Sequence, residues 1–224
     1  MTRPFAKRGP VWAIGTAVSG LVALGVWVTL RATWSVAHGG NSAFAGAFDY
    51  PGWVAAHFVS ALMFVTILPF QLLPHVRSTY PHAHRIAGRV AAGSGVIFSL
   101  TGLAIPWVMP ARPFGELAFM TTMGLVFPLL VGRGIVAARR RDFAAHRRWM
   151  LRVTAAALGP LTDRAIFPLF AAAGIDSMLR FWDLFVSALW FSLAINVLVV
   201  EWWIQRSAPA VHAATPALQE RLAG

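Results

Sequence analysis

The sequence contains no cysteine. This excludes disulfides, iron–sulfur clusters, thiolate catalysis and covalent c-type haem attachment, which needs a C-x-x-C-H motif. The chain also has no G-x-S-x-G elbow, no H-E-x-x-H helix and no glycine-rich phosphate loop, so hydrolytic chemistry finds no support. Any redox cofactor must therefore be held by histidine, by methionine or by noncovalent packing.

Charged residues are scarce as well. They make up 12% of the 224 residues, about half the share found in a typical soluble domain. Hydrophobic residues reach 58%, and the mean hydropathy is +0.64. This composition is typical of a protein that is surrounded mainly by lipid.

Six apolar segments are long enough to cross a bilayer as helices. They cover residues 11–30, 53–73, 86–109, 115–136, 149–172 and 182–204. The alternation typical of barrel strands is absent, and lipid-exposed backbone must be paired internally, so we predict helices. The predicted fold is an all-α polytopic membrane protein with a four-helix core made of the second to fifth segments. Residues 1–206 form this six-helix transmembrane domain, and residues 207–224 form a cytoplasmic C-terminal tail.

Basic residues concentrate on one side of the predicted bundle. That side holds Arg3, Lys7, Arg8, Arg77, Arg85, Arg89, Arg133, Arg139, Arg140, Arg141, Arg147, Arg148 and Arg152. The opposite connections hold Arg31, Arg112 and Arg180. By the positive-inside rule, both termini are predicted in the cytoplasm of a bacterium, with the chain in the inner membrane. Because the +11 charge is divided among connections that flank membrane helices, we expect contacts with anionic lipid headgroups and not with nucleic acid.

Three of the seven histidines fall inside predicted membrane segments or at their start. They are His57, His84 and His146, and ionisable groups at such depths are candidates for function. The other four are assigned to surface, tail or headgroup contacts, and they are His38, His75, His82 and His212.

His84 and His146 open the third and fifth segments from the same side, so we expect them at similar depth on parallel helices. In a four-helix core these helices are diagonal, and two inward imidazoles could hold one haem b iron between them. A stripe of small residues that includes Gly88 follows His84 along the third segment. Such a stripe has two interpretations, a groove for a flat macrocycle or a surface for close helix packing. We predict one haem, on the cytoplasmic side, with His84 and His146 as its iron ligands.

Arginines near these histidines also have two interpretations. Arg85, Arg148 and Arg152 could bind haem propionates through their forked guanidinium groups, or they could extend to anionic lipid. On the other side of the bundle, His57 and Arg164 share an outer polar cluster with nearby acidic residues. A quinone headgroup is a candidate ligand for that cluster.

The chain resembles an uncharacterised bacterial family of predicted membrane proteins, the domain of unknown function 2306. The motifs that carry the resemblance are His57, Pro69-Phe70-Gln71, His84-Arg85-x-x-Gly88-Arg89, His146-x-x-Trp149-Met150-x-Arg152 and Thr162-x-Arg164. The resemblance implies a membrane bundle with a polar site, and it implies no reaction. A looser similarity is to transmembrane b-type cytochromes with a four-helix haem-binding core. Their outer ligand pair is not matched, because the fourth segment has no histidine and offers only Met120 or Met123.

Two functions from different classes follow. The first is single-electron transfer through haem b between membrane redox partners. If the protein is an enzyme, this function would make it a haem-dependent membrane oxidoreductase. The second is a cofactor-free accessory or assembly subunit of a membrane complex, in which the buried polar residues are structural. Proton-coupled transport has less support, since no helices show the paired glycine and proline breaks of inverted repeats.

Overall fold

The computed structural model describes residues 50–108, 113–174 and 181–207, together with scattered positions between 19 and 38. Several predictions lie outside these residues. They concern residues 1–18, the connections at 109–112 and 175–180, the tail at 208–224, and with them the side of the membrane on which the two termini lie.

The described chain is helical. The helices are α1 (Pro51–Leu72), α2 (Pro74–Thr79), α3 (Pro81–Val108), α4 (Phe114–Arg139), α5 (Phe143–Ala172) and α6 (Phe181–Ser207). The first three of them begin at a proline, a residue whose fixed φ and missing N–H suit the first helical position. The five long helices correspond to the second to sixth predicted segments, and this confirms the all-α prediction for the described residues.

Four helices are long and apolar enough to cross a membrane: α1, α3, α4 and the Trp182–Ser207 part of α6. Helix α5 has 30 residues, about 45 Å at 1.5 Å per residue, but it carries five charged side chains. The membrane helical bundle is thus confirmed, whereas the count of six crossings stays a prediction.

Successive long helices pack as antiparallel neighbours, α1 on α3, α3 on α4, α4 on α5 and α5 on α6. One end of the bundle therefore holds the starts of α3 and α5 and the ends of α1, α4 and α6. We call it the basic end, because most of the described arginines lie there. The buried core draws on α1, α3, α4 and α5, with Phe64, Phe127 and Val153 among its members. Val22 and Val26, from the first predicted segment, also pack on this core.

Helix α1 packs on three glycines of α3 through side chains that are spaced seven residues apart. A β-carbon added at Gly102 would lie 3.2 Å from Cε1 of His57, and one added at Gly95 would lie 2.9 Å from Cδ2 of Phe64. At Gly88 the nearest atom is Oε1 of Gln71, at 3.2 Å.

A spacing of seven residues returns a side chain to nearly the same face of a helix after two turns. The small-residue stripe of α3 is therefore in close contact with α1. At these glycines the structure supports the helix-packing interpretation over a macrocycle groove.

Candidate functional site

The structure places His84 and His146 at the same end of the bundle, the basic end. Both lie in the first turn of a long helix, α3 and α5, and these two helices run parallel. Both side chains are half-buried, and the two imidazoles are close enough to interact electrostatically. The inward direction that the sequence suggested for this pair stays a prediction.

His146 is oriented by a backbone carbonyl of the neighbouring helix. Its Nδ1 lies 2.9 Å from the carbonyl oxygen of Gly134 in α4. Because a carbonyl can only accept, Nδ1 is the donor of this hydrogen bond, and Nε2 is the ring nitrogen that remains as a candidate ligand. Histidines that ligate metals are commonly held in this way, with the second ring nitrogen donating to a carbonyl or carboxylate.

Gly134 is also a point of tight packing between α4 and α5. A β-carbon there would collide with Cε of Met150 and would lie 3.5 Å from Cβ of Trp149. The absent side chain therefore allows the close approach of the two helices near the carbonyl that orients His146.

His84 and Gln71 each bury a polar atom that has no partner among the described residues. These atoms are Nδ1 of His84 and Nε2 of Gln71. Gln71 approaches α3 at Gly88, one turn after His84. A buried polar atom without a hydrogen bond costs about 1–3 kcal/mol. Buried polar atoms of this kind are commonly satisfied by an ordered water or by another bound group.

The three arginines considered for propionate binding differ in their surroundings. Arg85 and Arg148 are exposed at the basic end. Arg152 instead binds Glu201 of α6 in a forked pair, with Nε 2.5 Å from Oε1 and Nη2 2.9 Å from Oε2. Its guanidinium also lies 4.9 Å from the ring centre of Trp149. Arg152 therefore links α5 to α6, and its hydrogen-bonding edge is occupied.

We expect the Arg152–Glu201 pair to contribute only modestly to stability. The two side chains are 29% and 32% exposed, and solvent-screened pairs typically contribute about 0.2–1 kcal/mol. A double-mutant cycle with Arg152→Gln and Glu201→Gln, followed by unfolding in detergent, should give a coupling energy of about 1 kcal/mol. A coupling near zero would show that the forked pair adds nothing to the contact between α5 and α6.

A second polar cluster lies toward the other end of the bundle. Nδ1 of His57 is 3.1 Å from the carbonyl oxygen of Phe98 and 3.2 Å from Oγ1 of Thr101. Arg164 of α5 interacts electrostatically with His57, so the structure brings these two predicted site residues together. Asp163 is 2% exposed, and its Oδ1 has no partner within the described part of the chain.

The two clusters are far apart along the helices. His84 and Thr101 both lie on α3, seventeen residues from each other, which corresponds to a rise of about 26 Å. The histidine pair at the basic end and the His57 cluster are therefore two separate sites.

The family of predicted membrane proteins designated DUF2306 matches residues 54–204, more than half of the chain. This protein belongs to the DUF2306 family. Neither a curated protein nor a solved structure matches it significantly. The residues of the DUF2306 match include His84, His146, His57 and Arg164.

Three features of this DUF2306 protein's polar sites were not expected from its sequence. They are the carbonyl of Gly134, the hydroxyl of Thr101 and the hydrogen bonds between Thr162 and Asn196, with donor–acceptor distances of 3.0 and 3.2 Å. The hydrogen bond between His146 and the carbonyl of Gly134 could have been expected, since the two residues lie on either side of one tight helix–helix turn. The Thr101 and Thr162–Asn196 contacts depend on how neighbouring helices align, and a single sequence carries no local signal of that alignment.

The candidate donors at the basic end of the DUF2306 protein are the two imidazoles of His84 and His146. Within the described residues, no group of three or more His, Cys, Asp or Glu side chains is placed to hold a metal. A haem iron needs fewer protein ligands, because the porphyrin supplies four of its ligands. His84 and His146, both half-buried at the basic end, are the residues that would hold such an iron.

Proposed function

We propose that this DUF2306 protein is a b-type-cytochrome-like electron carrier of the bacterial inner membrane. It would bind one haem b through His84 of α3 and His146 of α5. The observation that supports this proposal most is that these two imidazoles lie at the same end of the bundle, close enough to interact electrostatically. In the same proposal the chain crosses the membrane six times, with the basic end and both termini in the cytoplasm.

Residues around the two histidines have separate tasks in this proposal. When bound, the haem supplies single-electron chemistry. Gly134 holds the ring of His146 and fixes its tautomer, and the buried amide nitrogen of Gln71 is available to donate a hydrogen bond to the bound group. Arg85 and Arg148 are the arginines that we assign to the propionates. Arg152 is not assigned to them, because Glu201 already occupies it.

The second part of the proposal concerns the electron partner. His57 and Arg164 offer a hydrogen-bond acceptor and a cationic donor to a quinone headgroup. However, the rise of about 26 Å along α3 is too long for direct electron transfer from a quinone there to a haem at the basic end. We therefore propose that the haem exchanges electrons directly with a membrane redox partner or complex subunit at the basic end. A quinone at the His57 cluster would need a further electron carrier to reach the haem.

A cofactor-free accessory or assembly subunit is the second candidate, and one observation favours it. The glycine stripe of α3 is in contact with α1 side chains along its length. The Thr162–Asn196 and Arg152–Glu201 contacts likewise join α5 to α6. In this proposal the buried polar residues serve to link helices and to specify their register.

A haem measurement separates the two candidates. The protein would be expressed in cells supplied with ample haem, purified in detergent and assayed for haem content. We expect about one noncovalent haem b per chain, with a Soret band and a sharp α-band after dithionite reduction. A colourless, folded protein would overturn the electron-carrier proposal and would favour the cofactor-free subunit.

A further inference from the structure

The turn between α4 and α5 contains an arginine where a glycine is usual. The amide of Arg141 donates to the carbonyl of Ala138, and the amide of Asp142 donates to the carbonyl of Ala137, both at 3.0 Å. This pair of bonds is the Schellman motif, which places one residue in the left-handed region. Here that residue is Arg141, with φ of 61°, although glycine adopts this conformation with less strain.

The acidic residue of this turn is already engaged. Oδ1 of Asp142 accepts a hydrogen bond of 2.8 Å from the amide of Ala145 and so caps the first turn of α5. Among the described residues, no carboxylate pairs with Arg139, Arg140 or Arg141. The turn therefore presents three exposed and uncompensated guanidinium groups in succession.

The start of α5 extends the same surface. Arg147 and Arg148 are exposed, and Phe143 is 68% exposed beside them. We call Arg139, Arg140, Arg141, Phe143 and Arg147 the basic turn, and we leave out Arg148 because it is assigned to a haem propionate. It follows directly on α4, a helix that can cross the membrane, so it lies at the level of the lipid headgroups.

We propose that the basic turn is a binding site for the phosphate groups of anionic phospholipids. Guanidinium groups offer forked donors that match phosphate oxygens. Phe143 is placed to enter the interface between headgroups and acyl chains, which a soluble phosphate ligand would not require. The strained Arg141 fits this assignment, because a residue that breaks a local rule is expected where function needs its side chain. The proposal does not depend on haem binding.

The test uses the full-length protein in nanodiscs of phosphatidylcholine that contain increasing fractions of phosphatidylglycerol. The midpoint of thermal unfolding is recorded at each fraction, and an apparent affinity is obtained from the rise. We expect the triple variant Arg139→Gln, Arg140→Gln, Arg141→Gln to bind phosphatidylglycerol roughly a hundredfold more weakly. Each arginine should contribute roughly fivefold to the affinity, and the three contributions multiply. Inorganic phosphate added to pure phosphatidylcholine nanodiscs should not raise the midpoint.

A matched control removes the same charge from elsewhere at the basic end. The variant Arg77→Gln, Arg89→Gln, Arg206→Gln alters three exposed arginines on α2, α3 and α6 and should retain most of the response. Equal losses in the two triple variants, or no loss in either, would overturn the proposal, as would stabilisation by free phosphate.

Arg141→Gly keeps the test informative if the triple variant fails to fold. Glycine suits the positive φ at this position, so the variant should unfold in phosphatidylcholine no earlier than the wild type. Its apparent affinity for phosphatidylglycerol should nevertheless fall roughly fivefold. An unchanged affinity in this stable variant would contradict a role for Arg141 in lipid binding.

Discussion

Replacing either His84 or His146 by alanine is expected to abolish the reduced haem spectrum of the purified protein. If the two imidazoles are the axial ligands, removal of one leaves the iron with a single protein bond in a bundle that carries no cysteine. Low-spin b-type spectra depend on both axial ligands, so the sharp α-band should disappear even where some haem is retained. The measurement is the reduced-minus-oxidised absorbance spectrum, normalised to protein.

Two further histidines provide matched controls. His75 lies on the short helix α2, where it is exposed and within 3.2 Å of Oγ1 of Thr79. His57 lies in the separate cluster near Thr101. His75→Ala and His57→Ala should therefore leave the spectrum unchanged. An α-band that survives in both His84→Ala and His146→Ala, or one that is lost in His57→Ala alone, would mean that the haem is bound elsewhere.

Gly95→Leu is expected to cause a large loss of stability. A β-carbon at this position would lie 2.9 Å from Cδ2 of Phe64 and 3.1 Å from Cε1 of Phe127. Both rings are buried and contact each other edge to face, so neither can move away freely. Overpacking of this kind costs about 1–3 kcal/mol. Leucine should fall at the upper end of that range, measured as the change in the free energy of unfolding in detergent.

Gly93→Leu is the control on the same helix. Gly93 is exposed, and nothing lies within 4 Å of a β-carbon added there, so its substitution should change stability little. Phe64→Ala should also cost less in the Gly95→Leu protein than in the wild type, because the two side chains compete for one space. Similar losses for the two glycine variants would show that α1 and α3 are not packed as closely as described.

The helices were predictable from the sequence because their long apolar runs are a direct requirement of the bilayer. The boundaries of the helices were less predictable than their existence. The hydropathy pattern starts the fifth segment at residue 149, whereas α5 begins at Phe143. The cap provided by Asp142 and the exposed arginines extend the helix beyond its apolar run. Helix α2 was expected to be a plain connection, since six residues bounded by prolines carry no periodic signal.

The candidate site was predictable only as far as single residues. His84 and His146 could be identified because ionisable groups are rare in membrane segments. The sequence left two interpretations of the glycine stripe, because small residues allow either a macrocycle or a helix to approach closely. The structure shows that helix α1 packs there. Arg152 was a candidate ligand of propionates for a similar reason. Its charge is visible in the sequence, but its pairing with Glu201 depends on how α5 and α6 align.

The central claim is that one iron is held between imidazoles from α3 and α5. Electron paramagnetic resonance of the oxidised, haem-loaded protein tests it most directly, because the ferric spectrum reports the axial ligands themselves. We expect a low-spin ferric signal of the bis-imidazole type, which is lost when His84 or His146 is changed to alanine. A high-spin signal in the wild-type protein, or no ferric haem signal after expression with ample haem, would contradict it.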